Sequence, residues 1–406
     1  MTLRSALLAL LLAAPAGAHA QIPGDTIRIG VLNDMSGPFA DLSGRGSVTA
    51  AQMAAEDFAK EAGAGAPRVQ ILSADHQNKP DVGGAIARRW VDQEGVAAVV
   101  DVPNSAVALA VNQIMKEKDR AFLASSTATS DLTGSQCART TVQWTFDTWA
   151  LANGTARALI AQGGKTWFFL TSDFAFGAAL TRDAGALVTQ NSGRVLGDVR
   201  IPLAAPDMSS FLLQAQSSGA QVVGIAAAGN DITNIVKQSA EFGLTQGGKQ
   251  RLAGLLVFLT DVDAMGLQTA QGLLLTEAFY WDLNDQTRAW SQRFADRAGG
   301  RKPTMNHAGV YSSVLAYLRA AAVVRSVSGQ AVVAQMGVAP IDDPLFGPTT
   351  IRPDGRAVHA MYLFQVKAPS ESKGPWDYYK LVSTIPAAEA FRPMEGGGCP
   401  LVGKAG

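Results

Sequence analysis

The sequence predicts an α/β protein with two lobes, each a doubly wound parallel sheet covered by helices. Short apolar segments alternate with longer amphipathic ones along most of the chain, the order typical of parallel sheets with helices on both faces. The series begins near residue 26 and restarts after about residue 144, which indicates two sheets. A continuous apolar run at 96–100 is typical of a strand buried on both faces.

The first series opens with a strand in which Ile27, Ile29 and Val31 alternate with other residues. The helix after it repeats apolar residues at three- and four-residue spacing and stops at Gly63. The predicted strands start at 27 and then cover 69–73, 96–100 and 121–124, and the predicted helices cover 48–62, 81–93 and 105–118.

The second series repeats the pattern with four helices and four strands. The predicted helices cover 151–162, 177–190, 209–218 and 232–242, and the strands cover 166–170, 195–201, 221–226 and 252–258. Beyond it we expect a strand at 273–280, helices near 287–297 and 307–326, and a final strand at 360–366 before a Pro- and Gly-rich tail.

Residues 1–20 have the pattern of a secretory signal peptide. Arg4 precedes an uncharged apolar run at 5–16, and Ala18-His19-Ala20 fits the small-x-small cleavage pattern. The run is too short to span about 30 Å of hydrocarbon as a helix. We predict removal of residues 1–20 and a secreted chain that is not embedded in the membrane; a buried N-terminal helix is the alternative.

Composition excludes several classes of protein. Basic and acidic residues both number 34, so the formal net charge is zero, whereas nucleic-acid binders usually carry a basic excess. Hydrophobic residues make up 47% and charged residues 17%, which excludes a disordered chain.

The two cysteines, Cys137 and Cys399, have an oxidising context in a secreted chain. We expect a disulfide between them, and two free thiols are the alternative.

Sequence signatures of catalysis are absent. The chain contains no His-x-x-Glu-His-type metal motif, no Gly-x-Ser-x-Gly elbow and no phosphate-binding Gly-x-x-x-x-Gly-Lys-Ser/Thr loop. We therefore predict that the protein is not an enzyme and needs no cofactor or metal.

The loops at the predicted strand ends are instead rich in hydroxyl and amide groups, with aromatic rings among them. Such groups bind a small polar ligand by hydrogen bonds while rings cover its body, and in open parallel sheets ligands bind at the carboxyl ends of the strands. Ser105 and Asp231 could instead cap helices, and Phe39 and Phe176 could be ordinary core residues.

The run at 27–38, IRIGVLNDMSGP, resembles the opening of periplasmic solute-binding proteins of branched-chain amino acid ABC transporters. The similarity continues at 46–58, 125–132, 171–177, 237–244 and 276–285. The order and spacing of these segments, rather than any single motif, carry the resemblance.

The resemblance implies the type I periplasmic-binding-protein fold, in which two lobes joined by three crossovers close around a ligand. The crossovers are expected near 144–147, 274–277 and 349–355. Lobe 1 would then comprise residues 26–144 plus 276–352, and lobe 2 residues 145–275 plus 353–406.

The resemblance also implies a binding site between the lobes, with lobe-1 groups that typically take a ligand carboxylate. The residues that match the family's site are Phe39, Asn104, Ser105, Ser126, Thr127, Phe176, Gly229, Asn230, Asp231 and Asp261, and Tyr280 offers a further ring face.

Amino-acid binders of the family usually hold the ligand ammonium with a glutamate, where this chain has Leu-Thr-Asp at 259–261. An unpaired buried ammonium is costly, so we predict a small organic or aromatic acid as ligand, with branched-chain amino acids as the alternative.

The implied function is capture of this solute in the periplasm and delivery to a membrane permease of an ABC importer, by a protein that we expect to be monomeric. A ligand sensor with the same fold and a secreted enzyme are the competing classes.

Overall fold

The computed structural model describes residues 22, 25–248 and 250–403; the predicted signal peptide lies outside the described residues. Five parallel strands form the first sheet, in the spatial order β2-β1-β3-β4-β5. The strands are β1 (Thr26–Asn33), β2 (Arg68–Asp75), β3 (Val96–Asp101), β4 (Ala121–Ala124) and β5 (Thr141–Gln143), and the helices between them are α1 (Gly44–Ala62), α2 (Pro80–Asp92) and α3 (Ser105–Glu117). Every residue of β3 is buried, as its apolar run predicts.

Four parallel strands form the second sheet, in the order β7-β6-β8-β9. The strands are β6 (Thr166–Ser172), β7 (Arg194–Ile201), β8 (Val222–Ala226) and β9 (Arg251–Gly254). The helices are α4 (Thr148–Ala161), α5 (Ala175–Gln190), α6 (Ser209–Ser217), α7 (Asn230–Glu241), α8 (Leu259–Met265) and α9 (Leu267–Ala270). The prediction of two parallel sheets with helices on both faces is confirmed.

The predicted strand at 252–258 is wrong in its second half. Strand β9 ends at Gly254, and the apolar residues after it lead into α8. They are as buried as a strand would be, and periodicity alone does not separate a buried strand from another buried apolar segment.

Antiparallel pairing completes the described chain and was not predicted. The first antiparallel sheet joins β10 (Leu274–Glu277), β14 (Met361–Val366) and β15 (Tyr379–Ile385), and the second joins β11 (Ile341–Asp343), β12 (Gly347–Ile351) and β13 (Ala357–Val358). Strand β15 and α13 (Ala387–Ala390) lie where only a loop-like tail was expected. Most of β15 is exposed on both faces, so it lacks the apolar alternation by which a strand is recognised.

Three further helices follow: α10 (Asp285–Ala295), α11 (Met305–Val324) and α12 (Gly329–Met336). Helices α11 and α12 pack on the first sheet. Arg293 of α10 forms an ion pair with Asp57 of α1 at 2.8 Å, and Tyr311 of α11 donates to the same carboxylate. The positions of the three crossovers and the exact lobe bounds stay a prediction.

Cys137 and Cys399 form the predicted disulfide, with their Cα atoms 5.6 Å apart. It fastens the C-terminal segment to the loop after β4. Among the described residues, no helix is long and apolar enough to cross a membrane.

Candidate functional site

The carboxyl ends of the two parallel sheets face each other across a small cavity of about 20 Å³. Its walls come from both halves of the molecule and are mainly apolar. The lining residues are Phe39, Leu42, Pro103, Ser126, Ala128, Phe174, Phe176, Ala228, Leu256, Phe258 and Asn306. Three residues predicted from the sequence, Phe39, Ser126 and Phe176, are among them.

The two halves touch beside this cavity. The backbone N–H of Asn230, at the start of α7, donates to the carbonyl of Pro38 at 3.3 Å. Gly229 has a φ of +60°, and a Cβ placed on it would lie 2.4 Å from the same carbonyl oxygen. A glycine is therefore required for this close approach of the two segments.

Phenylalanine rings supply most of the cavity wall. Phe39 comes from the first half, and its ring centroid lies 6.4 Å from that of Phe174 on the second half. Phe174 and Phe176 lie 5.8 Å apart at the start of α5. Tilted rings at these separations attract one another, so the three phenylalanines form a continuous apolar wall.

Asn306 is the polar lining residue that the sequence reasoning missed. It is 0% exposed, and neither its side-chain Nδ2 nor its Oδ1 has a hydrogen-bond partner among the described residues. Asn306 lies in the first turn of α11, whose N-cap is Thr304. The sequence prediction began this helix at 307; the capping pattern Thr304-x-x-His307 would have moved the start back by two residues.

Ser126 is held by a buried carboxylate beneath the cavity. Its hydroxyl donates to Asp101, which also accepts from Ser43 Oγ at 2.6 Å and from Asn33 Nδ2 at 2.9 Å. Burial raises the pKa of Asp101. Asp101 and Val102 have φ values of +85° and +57°, so the turn after β3 is held in a conformation that non-glycine residues rarely adopt.

A second buried carboxylate shapes the loop that carries Phe39. Asp34 accepts from the backbone N–H groups of Gly37 at 2.6 Å and Phe39 at 2.9 Å, and from Asn78 Nδ2 at 2.8 Å. These bonds fix the Ser-Gly-Pro-Phe turn, so this motif positions the ring through its backbone.

Three of the other predicted lobe-1 residues are engaged with protein groups. Asn104, not Ser105, caps α3, by accepting from the backbone of Ala106 and Val107. Ser105 Oγ accepts from the backbone N–H of Thr129 at 3.3 Å, and Thr127 Oγ1 donates to the carbonyl of Val102 at 2.6 Å. These contacts hold the loops around the cavity, and none of the three side chains lines it.

The predicted acidic residues of the second half also lie outside the lining. Asp231 does not cap α7; it accepts from the backbone N–H of Ala204 at 3.0 Å, and burial raises its pKa to about 6. Asp261 accepts from the backbone N–H of Phe258 at 2.8 Å, and burial raises its pKa to about 8.

Tyr280 lies in the core of the second half rather than at the cavity. Its hydroxyl donates to the carbonyl of Trp376 at 3.1 Å, and its ring packs 5.0 Å from that of Tyr379. Among the described residues, no group of three or more His, Cys, Asp or Glu side chains could hold a metal ion.

The fold and this cleft match a known family. A family model described as periplasmic binding protein matches residues 26–375. The chain belongs to this family. Its members are substrate-binding proteins and not enzymes, which confirms the prediction made from the missing catalytic signatures.

Two solved periplasmic binding proteins resemble the chain over nearly its full length. One, from Burkholderia mallei, is 45% identical with a TM-score of 0.89, and the match covers 93% of this chain and 99% of that one. The other is a branched chain amino acid ABC transporter periplasmic ligand-binding protein from Burkholderia xenovorans, 39% identical with a TM-score of 0.81, covering 92% of this chain and 99% of that one.

A curated relative is Leu/Ile/Val-binding protein homolog 6 of Brucella melitensis. It is 28% identical over 255 residues, which are 62% of this chain and 64% of the relative. The matched part of the chain thus spans less than two thirds of that relative's length. The periplasmic-binding-protein fold predicted from the sequence is confirmed.

Proposed function

We propose that this periplasmic binding protein is the solute-binding component of an ABC importer and that it captures a small aromatic carboxylic acid between its lobes. It acts in the periplasm and delivers the solute to a membrane permease. The family match and the names of the relatives support the transport role. The ligand class is argued from the cavity.

The observation that carries the ligand class is the composition of the cavity wall. Phe39, Phe174, Phe176 and Phe258 line it, and the only polar side chains among the lining residues are Ser126 and Asn306. Within the described part of the chain, this lining contains no Asp or Glu. An amino-acid ammonium would have no carboxylate partner there, and an unpaired buried charge is strongly unfavourable.

A carboxylate would find a suitable partner in Asn306. Its buried Nδ2 is a free donor, and it stands in the first turn of a 20-residue helix. The positive end of a helix dipole favours an anion within its first turn. Hydrogen bonds to a charged acceptor are about twice as strong as neutral ones, so the Asn306 amide would orient the acid group while the rings enclose the remainder.

Binding requires the cavity to widen. About 10–15 Å³ of such volume holds one water molecule, so the present cavity of about 20 Å³ is too small for a ring compound. We propose that the lobes separate at their three crossovers, admit the solute and close again through the Pro38–Asn230 contact. A ligand shifts this equilibrium only by its greater affinity for the closed form.

Solved proteins of the same fold show that such ligands can be accommodated. A solute-binding protein from R. palustris, 18% identical to this chain with a TM-score of 0.78, was crystallised in complex with benzoate. At this identity the likeness concerns the fold alone, and the proposal for this chain rests on its own cavity.

Branched-chain amino acids are the second candidate, favoured by the names of the Burkholderia xenovorans and Brucella relatives. The geometry offers them two neutral acceptors. One is Asn306 Oδ1, which has no partner among the described residues, and the other is the Ser126 oxygen, because the Ser126 hydroxyl donates its hydrogen bond to Asp101. Hydrogen bonds from an ammonium to two neutral acceptors stabilise its charge less than a bond to a carboxylate would.

A calorimetric panel separates the two candidates. We expect saturable binding of benzoate or 4-hydroxybenzoate. Benzamide should bind at least about tenfold more weakly because it has the same ring and no charge, and cyclohexanecarboxylate should also lose affinity because it keeps the charge and lacks the aromatic face. Binding of leucine or valine with no response to any aromatic acid would overturn the ligand class and leave the transport role standing.

A further inference from the structure

A second pocket, distinct from the ligand cavity, lies beside the cleft at the same edge of the molecule. We call it the rim pocket; it has a volume of about 390 Å³ and is lined by Arg45, Arg297, Arg301, Lys302, Asp41 and Thr260 among others. It shares no lining residue with the cavity. Thr260 reaches it from the second half of the molecule, and the basic residues come from the first.

The rim pocket has an excess of positive charge. Its lining holds four cationic side chains against the single carboxylate of Asp41, which pairs with Arg301 at 2.9 Å. Arg297 is matched by Glu56 at 2.9 Å. Arg45 is exposed and has no ion pair with any residue that the structure describes, and Lys302 contacts the Gln292 amide and the ring of Trp281. A concave surface lined by one sign of charge concentrates ions of the opposite sign.

The start of α1 adds to this charge. Its N-cap, Ser43, makes no capping hydrogen bond with its side chain, because the Ser43 hydroxyl is turned away to Asp101 at 2.6 Å. The first turn also contains no acidic residue. The N-cap side chain and the first turn therefore supply no compensation of their own for the positive end of this 19-residue helix, and the carboxyl of Asp101 accepts from Ser43 there.

Thr260 provides an independent observation. The residue is only 6% exposed, and its buried Oγ1 has no hydrogen-bond partner in the part of the chain that the structure describes. A buried hydroxyl without a partner costs about 1–3 kcal/mol. A bound ligand with acceptor oxygens would remove that penalty.

We propose that the rim pocket binds an oxyanion, a phosphate- or carboxylate-type group, between Arg45 and the Thr260 hydroxyl. Because these two residues belong to opposite halves of the molecule, the anion would join them and favour the closed form. The acidic side chain facing the site is Asp41, and it competes with the anion for Arg301.

The test is titration of the whole protein with inorganic phosphate at constant ionic strength, in the presence and absence of benzoate. We expect Arg45→Gln to weaken phosphate binding by about tenfold and Thr260→Val to weaken it several-fold. Asp41→Asn should strengthen it because it frees Arg301. Arg139→Gln is the matched control: Arg139 is also exposed and unpaired, and it lies outside the rim pocket.

Equal losses in the Arg45 and Arg139 variants, or no saturable binding, would overturn the proposal. So would an unchanged affinity in both the Thr260 and Asp41 variants. Phosphate binding that persists alongside benzoate identifies a free oxyanion. Isophthalate carries a second carboxylate that benzoate lacks. If isophthalate binds more tightly than benzoate to the native protein but not to Arg45→Gln, the oxyanion at the rim pocket is a second acid group of the cleft ligand. Failure of benzoate binding alone affects the proposed ligand and not this site.

Discussion

The guanidinium of Arg182 lies 3.0 Å from the carboxylate of Asp131. Arg182 belongs to α5 on the second sheet, and Asp131 belongs to the short helical turn after β4 of the first sheet. Ser130 extends the contact, since its Oγ accepts from Arg182 at 2.8 Å and donates to Asp183 at 2.6 Å. This network is a further contact between the halves, in addition to the Pro38–Asn230 hydrogen bond and the Phe39–Phe174 ring contact, and it includes charged groups.

Removing the Arg182 charge should favour the open arrangement. The pair is partly exposed, and such pairs contribute about 0.2–1 kcal/mol. Arg182→Gln is therefore expected to weaken binding of whichever panel compound binds by up to about fivefold, with little change in melting temperature. Solution scattering should show a larger radius of gyration for the unliganded variant.

Arg194→Gln is the control for this prediction. Arg194 is an exposed arginine of the same half, without an ion pair in the described structure, and it should affect neither measurement. An unchanged radius of gyration and affinity in the Arg182 variant would show that the network does not hold the halves together.

Asn306 should separate binding from stability. In Asn306→Leu the two buried polar atoms without partners are replaced by apolar ones of similar volume, so we expect the unliganded protein to gain about 1 kcal/mol or more of stability. The same change removes the proposed donor to the carboxylate and should reduce benzoate affinity by at least about tenfold. Urea denaturation and calorimetry measure the two effects.

Asn112→Leu provides the opposite case. Asn112 is also buried, but it donates to the carbonyl of Gln136 at 2.8 Å and accepts from Thr141 at 2.6 Å. Its replacement leaves those partners without hydrogen bonds and should cost about 1–3 kcal/mol. If both variants lost stability alike, Asn306 would have a structural role and the assignment of its amide to the ligand would fail.

Gly229 should control closure of the cleft. The Cβ of Gly229→Ala would lie 2.4 Å from the carbonyl oxygen of Pro38 in the opposite half. That contact exists only when the lobes are closed, so the variant should lose ligand affinity and resist compaction. Gly219→Ala is a matched control, since Gly219 has a similar φ of +64° with no atom within 4 Å of its Cβ position. Both variants place an alanine at a positive φ, which costs stability, and only Gly229→Ala should reduce binding; equal affinities in the two would contradict the steric argument.

The fold was predictable because buried parallel strands and amphipathic helices leave strong patterns. Strand β3 is an example, with every residue apolar except the last and all of them buried. Strand β15 is the counterexample, because it is mostly exposed and its position depends on pairing with β14 rather than on an apolar pattern of its own. Tertiary contacts form that strand, and single-sequence patterns do not record them.

The site was predictable to the level of loops but not of side chains. Ser126 and Thr127 are neighbours in one predicted loop, yet Ser126 lines the cavity and Thr127 donates to the backbone carbonyl of Val102. Asp231 was placed by its position after Gly229, and its carboxylate in fact accepts from Ala204. Motif spacing specifies where a loop lies, whereas the direction of each side chain depends on packing around it.

The buried carboxyl of Asp261 makes a prediction about pH. Burial raises its pKa to about 8, and Asp41 nearby adds to the effect; in the unfolded chain the pKa is about 3.9. Between these values the folded protein keeps a proton that the unfolded chain has lost. The free energy of unfolding therefore falls as pH rises from about 4 to about 8 and is then independent of this group.

Asp261→Asn, which keeps an acceptor for the Phe258 N–H, removes this dependence, so its stability relative to the native protein should increase from pH 5 to pH 8 in urea denaturation. Asp342→Asn, at an exposed position, is the control. A stability difference for Asp261→Asn that does not change with pH would mean that Asp261 is ionised in the folded protein throughout this range.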